Sequence, residues 1–355
     1  MRSRLIGFVI LVLIVGVALT VFFMQGGGKK QLTLKGFIGG EKAGLLEDNE
    51  VKKILKSRYG ITLNYSKAGS IDMVKEEVTT DFLFPSSQIA LEIFKDTKGQ
   101  KLVKSEVIFN SPIVLYSWDL VTDALIKQGV VEKRDNSYYI VDFPKLVDMV
   151  IQGKKWSDIG LGELYGSMTI ISTDPTKSNS GNMFSGLMAN ILNGDVVDDK
   201  SVETILPKLK QFTKKQGFLE HSSSDLFEQY LKTGVGAKPI IVGYENQIIE
   251  FASQNPELWK SVKDRVRILY PVPTVWSAHP LISLNANASE LISALEDRDI
   301  QKIAWEKHGF RTGFAGAENN TKVIQVMGLP DRIDKVIPMP NHKVMDRIIQ
   351  ALQEK

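Results

Sequence analysis

Two serine-rich turns in this sequence could do chemistry, because each stands where an apolar run gives way to a helix-like segment. The first comprises Ser178, Asn179, Ser180 and Gly181, follows the β-favouring residues 169–173, and leads into apolar residues at helical spacing. Free N–H groups and the dipole at a helix N-terminus favour an anion, and hydroxyl or amide side chains there bind a ligand or cap the helix. Gly181 would let a ligand approach the backbone closely. Taken alone, the turn fits an ordinary helix cap.

The second turn, at Ser86 and Ser87, has the same position between a strand-like and a helix-like segment. In α/β sheets ligands bind at the carboxyl ends of the strands, which is where both turns and a glycine pair after the first strand should lie. Neutral hydrogen-bond donors from two facing helix N-termini suit a small oxyanion. The predicted ligand-binding residues are Gly39, Gly40, Ser86, Ser87, Ser178, Asn179, Ser180, Gly181 and Tyr244.

Four other polar or aromatic residues are expected to have no ligand role. Lys42 and Lys177 would add positive charge to the site, but solvated surface lysines are the simpler expectation. Trp276 and His279 are expected in hinge and core packing, with an aromatic lid over a larger ligand as the alternative.

Catalytic motifs are missing from the sequence. Its four histidines do not stand at metal-ligand spacing, and there is no Gly-x-Ser-x-Gly nucleophile elbow. Neither a phosphate-binding Gly-x-x-x-x-Gly-Lys-Ser/Thr loop nor a Gly-x-Gly-x-x-Gly dinucleotide loop occurs. A hydrolase would need a base near Ser178 or Ser180, and the sequence places none there. We therefore expect a protein that is not an enzyme and that holds no metal and no cofactor.

Composition bounds the remaining possibilities. The chain has 355 residues and a net charge of +3 with acidic and basic residues mixed, so nucleic acid is not an expected partner. It contains no cysteine, which excludes a disulfide framework and thiol chemistry.

The N-terminus carries a long apolar segment. Residues 5–24 are almost unbroken apolar sequence, long enough to cross a bilayer as a helix, with Arg2 and Arg4 before them. We predict an uncleaved signal anchor over residues 1–24, with a cleaved signal peptide as the alternative. Residues 25–31 would form a flexible linker, and the rest of the chain would lie outside the cytoplasm as a single-pass membrane protein.

Strand-like and helix-like segments alternate through the rest of the chain. This predicts an α/β fold with mostly parallel sheets flanked by helices. Strand-like residues 107–118 and 266–275 contain Pro112, Pro271 and Pro273, as expected of segments that cross between domains. We therefore predict two lobes around a hinged cleft: lobe I from residues 32–116 and 270–355, and lobe II from residues 117–269.

Several segments together resemble the bacterial extracellular solute-binding proteins of the type II periplasmic-binding-protein fold. The resemblance covers about residues 31–316, and the 322–355 segment extends past the usual end. The loop 153–158 is similar to that of phosphate-binding members, whereas Thr173-Asp174-Pro175 is closer to molybdate-, tungstate- and sulfate-type members. The segments that carry the resemblance are 111–116, 178–181, 242–246, 270–281 and 305–311.

The resemblance implies a binding role between two lobes. It also implies that Tyr244 lies where the family often has a tyrosine beside the cleft, with packing in the lobe core as the alternative. We expect a membrane-anchored extracytoplasmic protein that captures a small ligand, of oxyanion type, for an ABC-type transporter permease. A tethered ligand sensor or assembly partner without a transport role is the alternative.

Overall fold

The computed structural model describes residues 31–77, 79–217, 219–313, 319–333 and 335–353. The predicted signal anchor, residues 1–24, and nearly all of the predicted linker lie outside these ranges. Within them, no helix has both the length and the apolar character needed to cross a bilayer.

Ten strands are present among the described residues. Most of them coincide with the strand-like segments of the sequence, and the long fourth strand includes the first predicted crossover. The strands are β1 Leu32–Ile38, β2 Ile61–Lys67, β3 Phe82–Phe84, β4 Lys104–Trp118, β5 Val131–Arg134, β6 Ser137–Ile140, β7 Ile240–Tyr244, β8 Val266–Pro271, β9 Trp276–Ser283 and β10 Arg311–Thr312.

Helices separate these strands along the described chain. They are α1 Ala43–Glu47, α2 Asn49–Tyr59, α3 Asp72–Lys75, α4 Gln88–Lys98, α5 Asp119–Lys127, α6 Phe143–Ile151, α7 Asn179–Asn193, α8 Val202–Gln216, α9 Ser223–Thr233, α10 Glu245–Gln254, α11 Pro256–Val262, α12 Ala286–Leu295, α13 Arg298–His308 and α14 His342–Gln353.

Side-chain caps and glycines set several helix ends. The Asp142 carboxylate accepts a hydrogen bond from the backbone N–H of Lys145 at the start of α6. Gly60 and Gly309 end α2 and α13 in the left-handed conformation, with φ of 69° and 68°.

The α/β class is confirmed, but the sheet is mixed rather than mostly parallel. β1 pairs in parallel with β2 and β3, and β6 with β8. In contrast, β4 pairs antiparallel with β7, β8, β9 and β10. The reason is that the chain leaves lobe I along β4 and returns along β8 and β9, so neighbouring crossover strands run in opposite directions.

The strand β4 connects the two halves of the sheet. Its first part pairs with β9 from residue 104 to 112, and its last part pairs with β7 and β8 from residue 113 to 118. The change of partners falls at Pro112 and Ile113, because proline cannot donate a ladder hydrogen bond. A continuous strand therefore joins the segments assigned to lobes I and II.

Buried apolar side chains also connect the two lobes. A smaller cluster lies within lobe I and contains Leu34, Phe84 and Phe310. The larger cluster fills lobe II and continues into the lobe I helices α3 and α4 through Val74 and Phe94. Residues assigned to different lobes thus share one apolar cluster.

The C-terminal segment runs along both lobes. Ile337 donates a backbone hydrogen bond to Thr274, beside the return crossover, and Asn190 on α7 donates to the carbonyl of Pro338. The helix α14 then packs on α7 and α8 of lobe II and on α4 of lobe I. Its buried face consists of Val344, Met345 and Ile348.

A buried ion pair fixes the contact between α10 of lobe II and β10 of lobe I. The Arg311 guanidinium donates to both carboxylate oxygens of Glu245, at 2.6 and 2.9 Å, and the Tyr270 hydroxyl donates to the same carboxylate at 2.7 Å. Arg311 is 3% exposed and Glu245 is fully buried. Removing one partner would leave an unpaired buried charge.

We expect the Arg311→Met variant to lose roughly 3–5 kcal/mol of unfolding free energy, because the Glu245 carboxylate would be buried without its counter-charge. Urea unfolding followed by circular dichroism measures the loss. Arg134→Met is the matched control, since Arg134 pairs with Glu132 in an exposed bridge and its loss should cost less than about 1 kcal/mol. Equal losses in the two variants would contradict this account.

Candidate functional site

A lysine ammonium lies buried between the lobes, in contact with one of the predicted turns. Lys42, in the short 3₁₀ turn after Gly39, has no exposed surface. Its Nζ donates to Ser86 Oγ at 2.7 Å and to Glu41 Oε1 at 2.5 Å, and lies 3.2 Å from His279 Nδ1. The expectation of a solvated surface lysine is therefore wrong at this position.

The side chains around Lys42 form a closed group, named here the Lys42 cluster and comprising Glu41, Lys42, Ser86 and His279. Glu41 Oε1 also accepts a hydrogen bond from Ser86 Oγ and lies 3.5 Å from His279 Nδ1. Ser86 is fully buried and His279 is 1% exposed, whereas the Glu41 side chain retains 14% of its exposure. Glu41 is thus the member of the cluster that reaches solvent.

The hydrogen bonds of His279 favour its neutral form. Because the Lys42 ammonium can only donate, His279 Nδ1 accepts, and Nε2 carries the proton toward Ser277 Oγ at 3.4 Å. Burial, reinforced by the neighbouring Lys42 charge, lowers the pKa of His279 from 6.5 to about 4, although Glu41 acts in the opposite direction. The imidazole is therefore an acceptor at neutral pH and adds no charge.

Burial and pairing act in opposite directions on the two charged members of the cluster. Burial would raise the pKa of Glu41, but the neighbouring Lys42 ammonium outweighs it and holds that pKa well below its usual range. Burial lowers the pKa of Lys42, and the Glu41 carboxylate partly offsets this. The ion pair depends on each partner remaining charged.

Lobe II reaches the same place through the first residue of α7. Asn179 Nδ2 donates to the backbone carbonyl of Ser86 at 2.8 Å and to the Tyr244 hydroxyl at 3.0 Å. Ser277 Oγ donates to the same Ser86 carbonyl at 2.9 Å. Two of the predicted turns, one from each lobe, are therefore in direct contact, and Tyr244 lies beside them.

Tyr244 is buried, at 2% exposed, and its ring belongs to the larger apolar cluster while its hydroxyl faces the polar residues. Burial, together with the nearby Glu41 charge, raises its pKa far above the usual value. The hydroxyl is accordingly a neutral hydrogen-bonding group. The expected core packing describes the ring of Tyr244, and a ligand-binding role for its hydroxyl stays a prediction.

The hydroxyls of the α7 turn bond chiefly with each other. Ser180 Oγ lies 2.7 Å from Thr173 Oγ1 and 3.0 Å from Ser178 Oγ. A Cβ atom at Gly181 would overlap the Thr173 carbonyl. The group packed closely against Gly181 is therefore the backbone of Thr173, and not a ligand. This contact holds the N-terminus of α7 against the end of the strand-like segment.

The remaining predicted residues differ in how closely they approach the cluster. A Cβ at Gly39 would lie 2.8 Å from Lys42 Nζ and still closer to Ser86 and Glu41, so the cluster requires a glycine there. Gly40 is exposed, and Ser87 is 3% exposed at the N-cap of α4 without a side-chain capping bond. Lys177 is exposed, as expected, with its Nζ 3.4 Å from His221 Nε2.

A partly open cavity of about 170 Å³ lies next to Asn179. It is roughly ten times the ~15 Å³ that one water molecule requires. Residues of both lobes and of α14 line it, and the side-chain oxygens of Asn179 and Asn182 have no hydrogen-bond partner. A small solute therefore has space beside the contact between the two lobes.

Sequence reasoning missed Glu41, Ser277 and Thr173, and gave Lys42 and His279 other roles. Glu41 and Lys42 follow directly on the predicted glycine pair, so position after the first strand is the signal that could have included them. Ser277 and His279 come from β9, whose antiparallel place beside β4 was not predicted. Within the described ranges no group of three or more His, Cys, Asp or Glu side chains could hold a metal ion.

We expect the free energy of unfolding to fall as the pH falls from about 6.5 to 4. In this range His279 is protonated in the unfolded chain but stays neutral in the folded chain. The loss attributable to this residue is about 3 kcal/mol at most. His279→Asn keeps an acceptor toward Lys42 but does not titrate. Urea unfolding of both proteins at pH 7, 6 and 5 should show a steeper decline for the wild type, and parallel declines would contradict the prediction.

Comparisons with known proteins find similarity in structure only. No protein-family model matches the chain, and no curated protein matches it. The sulfate-binding protein SubI from Mycobacterium tuberculosis superposes with a TM-score of 0.54 at 13% identity, over 90% of this chain and 96% of that one. The periplasmic binding protein AfuA from Actinobacillus pleuropneumoniae, solved with fructose-6-phosphate, gives 0.53 at 13% identity, over 90% and 96%.

A protein of Listeria monocytogenes assigned as a spermidine/putrescine ABC transporter gives a TM-score of 0.60 at 14% identity, over 91% of this chain and 98% of that one. The solutes named for these three proteins are an inorganic anion, a sugar phosphate and polyamines, so the shared fold does not select a ligand. The similarity confirms, for this chain, the type II fold of the periplasmic and extracellular solute-binding proteins.

Proposed function

We propose that this chain is an extracytoplasmic solute-binding protein that captures a small anion between its lobes. The observation that carries the proposal is the buried Lys42 ammonium, which lies at the interlobe contact with Ser86 and His279 around it. A closed pair of lobes with polar groups converging on one point is the arrangement that a ligand-gated cleft requires.

The chemistry of the cluster favours an anion over a neutral solute. An ammonium group removed from water must have a negative partner, and charge-assisted hydrogen bonds from Lys42 and Ser86 are stronger than bonds between neutral groups. Asn179 and Tyr244 add an amide and a hydroxyl from lobe II. An oxyanion held by both sets would contact both lobes at once.

Closure follows from such bridging contacts. A ligand that contacts lobe I through Lys42 and lobe II through Asn179 binds the closed form more tightly than an open one, and so shifts the population toward closure. The predicted N-terminal anchor would keep the protein at the extracytoplasmic surface of the cell membrane. There it would meet a permease at high local concentration. The similar structure from Listeria monocytogenes, assigned as an ABC transporter, supports this partner.

A tethered sensor or assembly partner is the second candidate, and the C-terminal segment favours it. The helix α14 packs on both lobes, which restrains their relative motion. A protein held closed in this way would present a fixed surface to another protein, and solute exchange would be secondary.

The first test is a thermal-shift screen of the full-length chain. Phosphate, sulfate, molybdate, tungstate, a sugar phosphate, amino acids and spermidine are added one at a time, and titration calorimetry follows any hit. A ligand at about 100 times its Kd stabilises the folded state by ~2.7 kcal/mol through mass action, which raises Tm. A shift with spermidine alone would exclude the anion, and no shift at all would favour the second candidate.

For the anion that binds, we expect Lys42→Met to weaken affinity by roughly 10- to 100-fold, because a charge-assisted hydrogen bond contributes ~1.5–3 kcal/mol. Calorimetry measures the change, and circular dichroism checks that the variant is folded. Lys52→Met is the matched control, since Lys52 belongs to the same lobe and is about half-exposed in a surface pair with Glu47. Equal affinity in the two variants would contradict the assignment of the site to Lys42.

A further inference from the structure

The Glu41 carboxylate occupies the position where an anionic ligand would be held. Its Oε1 atom accepts hydrogen bonds from Lys42 Nζ and Ser86 Oγ and lies 3.5 Å from His279 Nδ1. Two of these groups, Lys42 and Ser86, are the lobe I donors assigned above to a captured anion. A carboxylate of the chain itself thus makes the contacts that the proposed ligand would make.

We infer that Glu41 is a built-in occupant of the anion site, and that an incoming anion binds by displacing it. This inference rests on the proposed function and deepens it, because it sets the class of ligand. The ligand would carry a compact oxyanion group of the size of a carboxylate, sulfate or phosphate, able to accept from an ammonium and a hydroxyl at the same time.

Charge balance requires displacement rather than addition. The cluster contains one positive group, Lys42, and one negative group, Glu41, while His279 is neutral. A second anion beside Glu41 would leave a net negative charge in a buried place, and two anions at such distances repel strongly there. Exchange of one anion for another preserves the balance around Lys42.

Glu41 has a route out of the cluster that the other members lack. Its side chain retains 14% of its exposure, whereas the Lys42 side chain has none. The neighbouring Gly40 is exposed, and a Cβ there would have no atom closer than 3.9 Å. Rotation of the Glu41 side chain toward solvent therefore opens the site without a change in the fold of lobe I.

The occupant also sets a threshold for binding. When a site is filled by an internal group, the apparent Kd of a ligand equals its intrinsic Kd divided by the fraction of molecules in which the site is free. Anions that only match the contacts of Glu41 would bind poorly, whereas an anion that also reaches Asn179 and Tyr244 would gain contacts that Glu41 lacks. Glu41 would thus act as a specificity-determining residue.

The test removes the occupant and supplies a small replacement. Formate is titrated into the full-length wild type and into Glu41→Ala at pH 7, and Tm is recorded. We expect a saturable rise of at least about 2 °C in the variant, because formate fills the vacated place beside Lys42, and no comparable rise in the wild type. Glu47→Ala, which empties an exposed pair with Lys52, is the control and should not respond.

A second measurement uses the anion identified in the screen, with sulfate as the probe when none is found. Affinity for it should rise at least ~10-fold in Glu41→Ala, since no displacement is then needed. Should Glu41→Ala fail to fold, Glu41→Gln keeps the shape without the charge and should still bind more tightly than the wild type. Affinity that is equal to or lower than that of the wild type, in a folded variant, would overturn the inference.

The two proposals fail in different ways. If the wild type binds an anion and both Glu41 variants bind it no better, the displacement inference falls while the proposed function stands. If the wild type binds no solute but Glu41→Ala responds to formate or sulfate, Glu41 is the occupant and solute capture by the wild type is what fails.

Discussion

The arrangement between the lobes depends on one desolvated ammonium group. Lys42 is fully buried, and burial alone works against its charged form, so its surroundings must supply negative charge and acceptors. Glu41, Ser86 and the neutral His279 meet this requirement, and the Ser86 carbonyl in turn receives donors from Asn179 and Ser277. Ser86 therefore connects the buried ion pair, through its hydroxyl, with the donors from Asn179 and Ser277, through its carbonyl.

Apolar packing and the ion pair have separate functions in this architecture. The larger apolar cluster and the Glu245–Arg311 pair join the lobes away from the cleft, close to the crossover strands. The Lys42 cluster consists of residues assigned to lobe I alone, and Asn179 connects it to lobe II through the Ser86 carbonyl. Hydrophobic burial is non-directional and accepts small shifts, whereas a buried charge tolerates loss of its partner poorly. The cluster is thus the part of this region that is most sensitive to a change of charge.

Local signals in the sequence were sufficient for the α/β class and for several helix ends, because they act through neighbouring residues. The Asp142 cap, the glycine ends of α2 and α13, and the prolines of the crossovers each determine nearby backbone geometry. The antiparallel pairing of β4 and the burial of Lys42 depend instead on segments far apart in the chain, such as β9. The pattern of residues along the chain does not indicate such long-range contacts, so both features were missed. The ligand-binding role of the predicted residues stays a prediction.

The position of α14 has a consequence for the kinetics of the cleft. Since this helix lies on α7 and α8 of one lobe and on α4 of the other, separating the lobes must slide or detach its buried face of Val344, Met345 and Ile348. Exposing that surface to water costs about 25 cal/mol for each Å². For a protein that binds solute as proposed, this cost would slow opening, and a bound solute would have a long residence time.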